Sequence, residues 1–280
     1  MKYLDQFVKV IKQKPELNNV DEDFVRGQLE DYIQKHVKLI KKLEESQSFE
    51  KFQQSKEYDQ ILKTIRGNLR KPYGLFQIDL KERDNLFNQL RKDPNNMELH
   101  KALLRTHRST SERIDIYPRL YEELFQITKK PKSILDLSCG LNPLSLPWMG
   151  LKDIAYTATE LSEEDLRIIK TYFSIKGIRG RTIQLNLIKD YAVLDELKAD
   201  VCFMFKLLDS LETIKKDISQ KILERINAKY IVASFSTKTV GGKQMRNAKR
   251  VWFEHLAENM NFKFKLLEYQ NELFYILEKV

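Results

Sequence analysis

Ser133-Ile134-Leu135-Asp136-Leu137-Ser138-Cys139-Gly140-Leu141-Asn142-Pro143-Leu144 is the stretch that decides the fold. Its first half is a short apolar run and its second half a tight turn of small residues. A second candidate strand, 154–159, follows, with Glu160 at its tip. A strand, a glycine turn and a carboxylate roughly 20 residues later form the nucleotide-binding logic of a doubly wound sheet. The turn lets a backbone approach a ligand. The carboxylate of Glu160 can accept hydrogen bonds from two ribose hydroxyls. A motif this short also occurs by chance as an ordinary strand and turn.

The turn narrows the choice of nucleotide. A dinucleotide site wants G-x-G-x-x-G, because backbone amides must crowd a pyrophosphate. Here Ser138, Leu141 and Pro143 dilute the glycines, and Pro143 has no amide to donate. That argues against NAD and FAD. S-adenosylmethionine has an adenosine and no pyrophosphate, so one glycine at the point of close approach can suffice.

Outward from this stretch, the chain has two textures. Residues 1 to about 105 read as helical throughout. Tyr3, Phe7, Val8 and Ile11 recur at helical spacing, as do Phe24, Leu29, Tyr32, Ile33, Val37 and Ile40. Further helices are expected over 58–69, ended by Lys71-Pro72-Tyr73-Gly74, and over 80–90, ended by Asp93-Pro94-Asn95-Asn96. After about residue 130, strands alternate with helices. Strands are expected at 133–138, 154–159, 181–185, 200–205 and 230–235, with helices at 163–176 and 243–260. The strands 262–268 and 272–277 are separated only by Tyr269-Gln270-Asn271, which makes an antiparallel hairpin. Five crossover-linked strands with a terminal hairpin is the layout of an α/β, Rossmann-like class I methyltransferase with a seven-stranded sheet. The expected domains are 1–105, helical, and 106–280, carrying the cofactor site.

Composition sets bounds. The 280 residues are 42% hydrophobic, ample for a core, yet no apolar run approaches the ~20 residues of a membrane span. The start, Met1-Lys2-Tyr3-Leu4-Asp5, has no signal-peptide shape. Cys139 and Cys202 make no metal spacing and no obvious disulfide, so a reducing cytoplasm is the expected compartment. His36, His100, His107 and His255 are scattered, and no metal is expected. Net charge is +9, from 49 basic and 40 acidic residues. That charge fits a nucleic-acid partner or a merely Lys-rich surface.

Three constellations bear on chemistry. In His107-Arg108-Ser109-Thr110-Ser111-Glu112-Arg113, Ser109 and Glu112 have the spacing of a capping box, which by itself means a helix start. Arg113 one turn further on suits a bidentate carboxylate contact, such as the methionine end of a cofactor. Asn186 and Leu187 follow the third strand, where an adenine edge would rest, and Lys206 and Leu207 follow the fourth, where a target base must approach. No [DN]-P-P-[YF] stands at this tip to hold an exocyclic amine, and Cys202 lies inside the strand rather than after a proline. Pyrimidine C5 chemistry, which needs a thiol nucleophile, is therefore disfavoured. Methylation of an atom that is already nucleophilic remains. Guanine N7 has a free lone pair and no proton to lose, so it needs only positioning of a flipped-out base. The third constellation, residues 234–250, carries the five bases Lys238, Lys243, Arg246, Lys249 and Arg250, and no acid. Basic side chains beside the cofactor mouth would hold phosphates. If 243–260 is one helix, positive charge at its start opposes the macrodipole, so a partner should justify it. A second basic stretch, 63–71, includes Arg66 and Arg70 and reads equally as an RNA contact or a solvated face.

Three blocks give the chain a family likeness: His107-x-Ser109-Thr110-x-Glu112-Arg113, then Leu135-Asp136-Leu137-x-Cys139-Gly140-Leu141-Asn142-Pro143-Leu144-x-Leu146-Pro147-Trp148, then Ser234-Phe235-x-Thr237-Lys238-x-x-Gly241-Gly242-Lys243. In order and spacing they resemble the aminoglycoside-resistance 16S rRNA (guanine-N7) methyltransferases, over roughly residues 106–280. The resemblance implies S-adenosylmethionine as cofactor, 16S rRNA in the small ribosomal subunit as substrate, and an N-terminal helical domain that docks on the subunit; no sequence feature demands more than a monomer. It implies that Arg113 binds the cofactor carboxylate, that Asp136, Cys139 and Gly140 belong to the methionine side, and that Glu160 holds the ribose. Asn186 and Leu187 would flank adenine, and Lys206 and Leu207 would floor the pocket. Lys238, Lys243 and Met245, with Arg246, Lys249 and Arg250, would orient the rRNA. Glu160 and Asn186 stand where aspartates are expected, and Lys243 where arginine is, which marks a divergent member. Methylation of another rRNA or tRNA position, methylation of a small molecule, and a non-catalytic ribosome-binding factor of the same fold are the alternatives.

Overall fold

The computed structural model describes the chain except residues 1, 15, 16, 19, 70–79, 240, 241 and 280, together with the side chains of 80 and 81. Arg70, Gly241 and the turn expected at 71–74 lie outside the described residues. The chain divides into two compact units, Met1–Gln77 and Ile78–Val280. The boundary falls earlier than residue 105, because the helices that follow residue 80 pack into the second unit's core.

The first unit is made of α1 (Leu4–Lys12), α2 (Glu22–Gln34), α3 (Val37–Glu45), α4 (Phe49–Gln53) and α5 (Lys56–Leu69). On α5, Tyr58, Ile61, Leu62, Ile65 and Leu69 are buried, which is one helical face. Phe7 of α1 lies edge-on to Phe49 at 5.2 Å and close to Tyr58 at 5.6 Å, so aromatic packing joins the ends of the unit. Asp21 caps α2 by accepting from the Phe24 amide at 2.7 Å. Arg66 donates through Nη2 to the Val10 carbonyl at 2.7 Å. Arg66 therefore ties α5 to α1 instead of standing free for RNA, a correction to the role its basic neighbours suggest.

The second unit opens with α6 (Leu80–Lys92), α7 (Met97–Arg105), α8 (Arg108–Ser111) and α9 (Tyr117–Thr128). Then come β1 (Ser133–Leu137), α10 (Leu146–Met149), β2 (Ala155–Glu160), α11 (Glu163–Lys176), β3 (Arg179–Gln184), β4 (Lys198–Phe205), α12 (Leu208–Ile214), α13 (Ile218–Arg225) and β5 (Asn227–Ser236). α14 (Val251–Asn259), β6 (Phe262–Glu268) and β7 (Glu272–Lys279) complete it. The seven strands are ordered β3-β2-β1-β4-β5-β7-β6. The first five are parallel, and β7 pairs antiparallel with both β5 and β6. Alternation along the strands splits the core into two layers. Ile134, Tyr156, Phe203 and Val232 face the layer shared with Leu90 of α6, Leu104 of α7 and Leu124 of α9. Leu135, Cys202, Ile231 and Tyr275 face the other layer, with Ile222 of α13 and Phe253 of α14. No helix among the described residues is long and apolar enough to cross a membrane.

One expected element is shorter than its sequence suggests. Residues 243–250 are not helical, and α14 starts only at Val251. Instead the segment folds back on β5. Lys238 bridges Gln244, the Thr239 amide donates to the Lys243 carbonyl at 2.8 Å, and the Met245 amide donates to the Thr237 carbonyl at 2.8 Å. Extended pairing has taken these amides before a helix could. The macrodipole argument thus does not apply to Lys243 and Arg246, which precede any helical turn.

A nucleotide crevice and a charge cluster at the carboxyl edge of the sheet

Strand order reverses at β1, which lies between β2 and β4, and the crevice outside their carboxyl ends is the place where such sheets bind ligands. The turn after β1 is stitched to β2. The Cys139 amide donates to the Thr159 carbonyl at 2.9 Å, and Ser138 and Gly140 take left-handed φ values of 50° and 51°. At Gly140 a Cβ would come within 2.7 Å of the His107 ring, so only glycine lets that imidazole pack there. The Gly140 amide donates to Glu160 Oε2 at 2.9 Å, and the Leu161 amide donates to Oε1 at 2.7 Å. Glycine turn and carboxylate are thereby fixed to each other. Burial and the neighbouring Asp165 carboxyl push Glu160 up to about 7, against the pull of those amides. Asp165 opens α11 and pairs with the buried Arg83 of α6.

Behind the turn lies a polar network. Asp136 Oδ2 accepts from Asn142 Nδ2 at 2.9 Å and from the Tyr156 hydroxyl at 2.5 Å. Asn142 Oδ1 in turn accepts from the Tyr117 hydroxyl at 3.0 Å. Burial raises Asp136 to about 6, and its Oδ1 is buried without a hydrogen-bond partner. Burial pushes both thiols, Cys139 and Cys202, well above their ordinary range, so neither is a ready nucleophile. At the tip of β3, Asn186 Oδ1 accepts from the Ile188 amide at 3.0 Å and forms a local turn, with Leu187 buried beside it.

The tip of β4 carries a second cluster. Lys206 has φ 54°, and its amide donates to Ser234 of β5. Its ammonium pairs with Glu112 and, at 3.3 Å, with Glu272. Arg113 Nε donates to both oxygens of Glu272, at 2.9 and 3.0 Å. Arg113 Nη2 donates to Ser109 Oγ at 3.0 Å, and the guanidinium lies 4.8 Å from the centre of the Phe205 ring. Arg113 and Glu272 are each 1% exposed, so the anion facing this arginine is the protein's own. Glu112 and Ser109 therefore serve the cluster and do not form a capping box. α8 has no side-chain cap, and Thr110 instead bonds back to the Leu104 and His107 carbonyls. Burial and the cations Arg83, Arg113 and Lys206 lower His107 to about 3, so the imidazole against Gly140 is neutral.

Sequence reasoning gave Arg113 the carboxylate of a cofactor and no partner within the protein. The available signal was Glu272, an acid opening the apolar run Leu273–Leu277 and therefore carried into the core. His107 was quoted in a motif but given no role.

Of the expected RNA contacts, Lys243, Arg246 and Lys249 are exposed, while Lys238 and Met245 are half-buried. Lys249 is 3.7 Å from Glu268, a pair open to solvent on both sides. Arg250 is a correction. It is buried, donates to Asp209 through Nε and Nη2 at 2.9 and 2.8 Å, reaches the Ser236 carbonyl at 3.0 Å, and lies over the Phe235 ring. It fastens the start of α14 to β5 and to the first turn of α12, and its charge is already paired with Asp209. No group of three or more His, Cys, Asp or Glu among the described residues is placed to hold a metal ion.

Known proteins are similar to this chain. The family model "Ribosomal RNA methyltransferase (FmrO)" matches residues 83–276. A 16S rRNA (guanine(1405)-N(7))-methyltransferase of Micromonospora rosea is 34% identical over 176 residues, which span 62% of this chain and 63% of the relative's length. The same-named protein of Proteus mirabilis is 27% identical over 248 residues, covering 79% of this chain and 85% of its own. Among solved structures, the 16S rRNA methyltransferase RmtF in complex with S-adenosyl-L-homocysteine superposes with a TM-score of 0.76 over 100% of this chain and 99% of its own, at 18% identity. At that identity the likeness speaks for the fold, whereas the family match runs through the glycine turn, Glu160, the β4 tip and Glu272. The chain belongs to the FmrO family of ribosomal RNA methyltransferases.

Proposed function

We propose that this protein transfers a methyl group from S-adenosylmethionine to N7 of a guanine in 16S rRNA of the small ribosomal subunit. The observation that carries the reading is the Gly140 amide held 2.9 Å from the Glu160 carboxylate, at the sheet's switch point, in a chain of this family. The matched relatives bear that activity in their names, and this chain's match covers a little under two thirds of the first of them.

The residues fit the cofactor. The Glu160 oxygens accept the backbone amides of Gly140, Leu161 and Ser162 and, with about four acceptor sites between them, keep capacity for a ribose hydroxyl. Asp136 Oδ1 is a buried acceptor still without a donor. Asn186 and Leu187 end β3 where adenine would lie. The bound cofactor supplies an electron-poor methyl group on a sulfonium. The protein's part is then positional. Glu160 and the Gly140 turn hold the nucleoside, and Leu207 and the aliphatic stem of Lys206 floor the space before the β4 tip. Guanine N7 attacks with its own lone pair, so no side chain must remove a proton. The cluster around Arg113 and Lys206 carries two cations and two carboxylates and so leaves no net charge beside the reacting atoms. Lys243, Arg246 and Lys249 hold the rRNA backbone, and the first unit docks on the subunit. Aminoglycoside resistance is the expected cellular consequence.

The test is transfer of labelled methyl groups to unmodified small subunits, followed by mass spectrometry of the rRNA nucleosides. The expected product is 7-methylguanosine. A different methylated nucleoside would overturn the N7 assignment, and absence of transfer to subunits, free rRNA and tRNA alike would overturn the enzyme reading.

A further inference from the structure

Trp252 stands where its sequence neighbours give it no reason to be exposed. The large apolar side chains left open to solvent among the described residues are Val37, Met97, Val193, Val251 and Trp252. Two of these are adjacent, at the first turn of α14, with Val251 49% and Trp252 38% exposed. The indole is held firmly. It meets Phe235 edge-on at 6.0 Å and 87°, and Phe253 at 5.6 Å and 72°. Arg250, two residues before it, is locked to Asp209 and to the Ser236 carbonyl, both at the carboxyl edge of the sheet. The result is a rigid aromatic platform on the edge that carries the crevice.

The surroundings say what would cover it. Lys243, Arg246 and Lys249 are exposed just before it, and residues 234–253 contain no acid. An apolar protein partner would bring no opposite charge to Lys243 and Arg246, whereas RNA brings both a phosphate for each cation and a base for the ring. Basic side chains tracking the backbone with an aromatic face between them is the design of single-strand recognition. We propose that Trp252 stacks on an unpaired rRNA base next to the target guanine, and so holds the strand in the register that presents N7 to the crevice. Trp252 is a positioning residue here, since it touches neither the cofactor nor the reacting atom.

The proposal rests on the methyl-transfer reading, and two readouts separate their fates. Trp148 and Trp252 are the chain's two tryptophans, so Trp148→Phe leaves Trp252 as the sole indole. Trp148 is half-buried and stacked on Tyr117. In this variant, small subunits should quench the remaining indole, and an excess of salt should restore it. Separately, Trp252→Ala should lower kcat/KM for small subunits roughly tenfold or more, the loss expected when one base-stacking partner goes. Trp252→Phe should recover most of that loss, and S-adenosylhomocysteine affinity should match the parent in both variants. Quenching without any methyl transfer in the parent would support stacking and defeat the methyl-transfer reading alone. An unquenched indole, parent-like kcat/KM in Trp252→Ala, or an equal loss of cofactor affinity would overturn the role of Trp252.

Discussion

Arg113 and Glu272 lie 159 residues apart in the chain and form one buried pair, the guanidinium Nε reaching both carboxylate oxygens. Removing one partner of a buried pair leaves the other charge without compensation, which costs about 3–5 kcal/mol. Glu272→Ala should therefore lose about that much stability in urea unfolding. Replacing both residues by methionine should recover most of it, because well-packed apolar side chains can substitute for a buried pair. A double variant no more stable than Glu272→Ala would show that the pair does not act as a unit.

The Gly140 turn gives a second test. Its φ of 51° costs a residue with a Cβ about 1–2 kcal/mol, and that Cβ would lie 2.7 Å from His107 Cε1. Gly140→Ala should lower thermal stability and weaken S-adenosylhomocysteine binding. Adding His107→Ala should relieve the clash but not the backbone strain, so only part of the stability should return. Full recovery would mean that the conformation of Gly140 costs alanine nothing.

Glu160 makes both cofactor affinity and stability depend on pH. Its folded value is about 7 against an ordinary 4.5, raised by burial and Asp165. Between those values the folded protein holds a proton that the unfolded chain has released, so stability falls as pH rises through the window. Asp136, raised from 3.8 to about 6 by burial, adds the same sign at lower pH. Glu160→Gln should flatten the melting-temperature profile between about pH 5 and 7.5. Ribose hydroxyls donate to the ionised carboxylate, so calorimetric affinity for S-adenosylhomocysteine should be roughly tenfold weaker at pH 6 than at pH 8. A pH-independent affinity in the parent would remove Glu160 from the ribose.

The basic residues separate into two roles that one salt titration can tell apart. Changing Lys243, Arg246 and Lys249 to glutamine should leave the melting temperature unchanged. The salt dependence of RNA binding should become shallower by roughly two units of log-log slope, if each cation holds one phosphate. Arg250→Ala should do the reverse, losing about 1.5–3 kcal/mol of stability with its charged hydrogen bonds while leaving that slope alone. A shallower slope in Arg250→Ala would return that residue to the RNA interface.

The sheet was legible because its information is local. β1 announces itself as Ile134–Leu137 between a lysine-rich stretch and a serine–glycine turn, and β6 and β7 through an intervening segment too short for a crossover. Glu160 was legible because a doubly wound sheet puts that position at a strand tip. What stayed hidden depends on residues distant in sequence. The side chain of Glu112 has the spacing of a cap, but Lys206, 94 residues on, draws it elsewhere together with Arg108. Residues 243–250 have helix-tolerant side chains, and nothing local reveals that Thr237 and Thr239 will take their backbone groups. Arg250 resembles its basic neighbours until Asp209 is beside it.

β7 supplies Glu272 and enters the sheet between β5 and β6, yet it is the last of the seven strands to leave the ribosome during synthesis. Until it emerges, β5 has an open edge and Arg113 no counter-charge. The half-built chain can lay down β1 to β5 with the glycine turn in place, but the ground beneath the β4 tip stays electrically unbalanced. The closed sheet edge and the charge balance beside the β4 tip are therefore gained together, in one late step, when β7 is laid down.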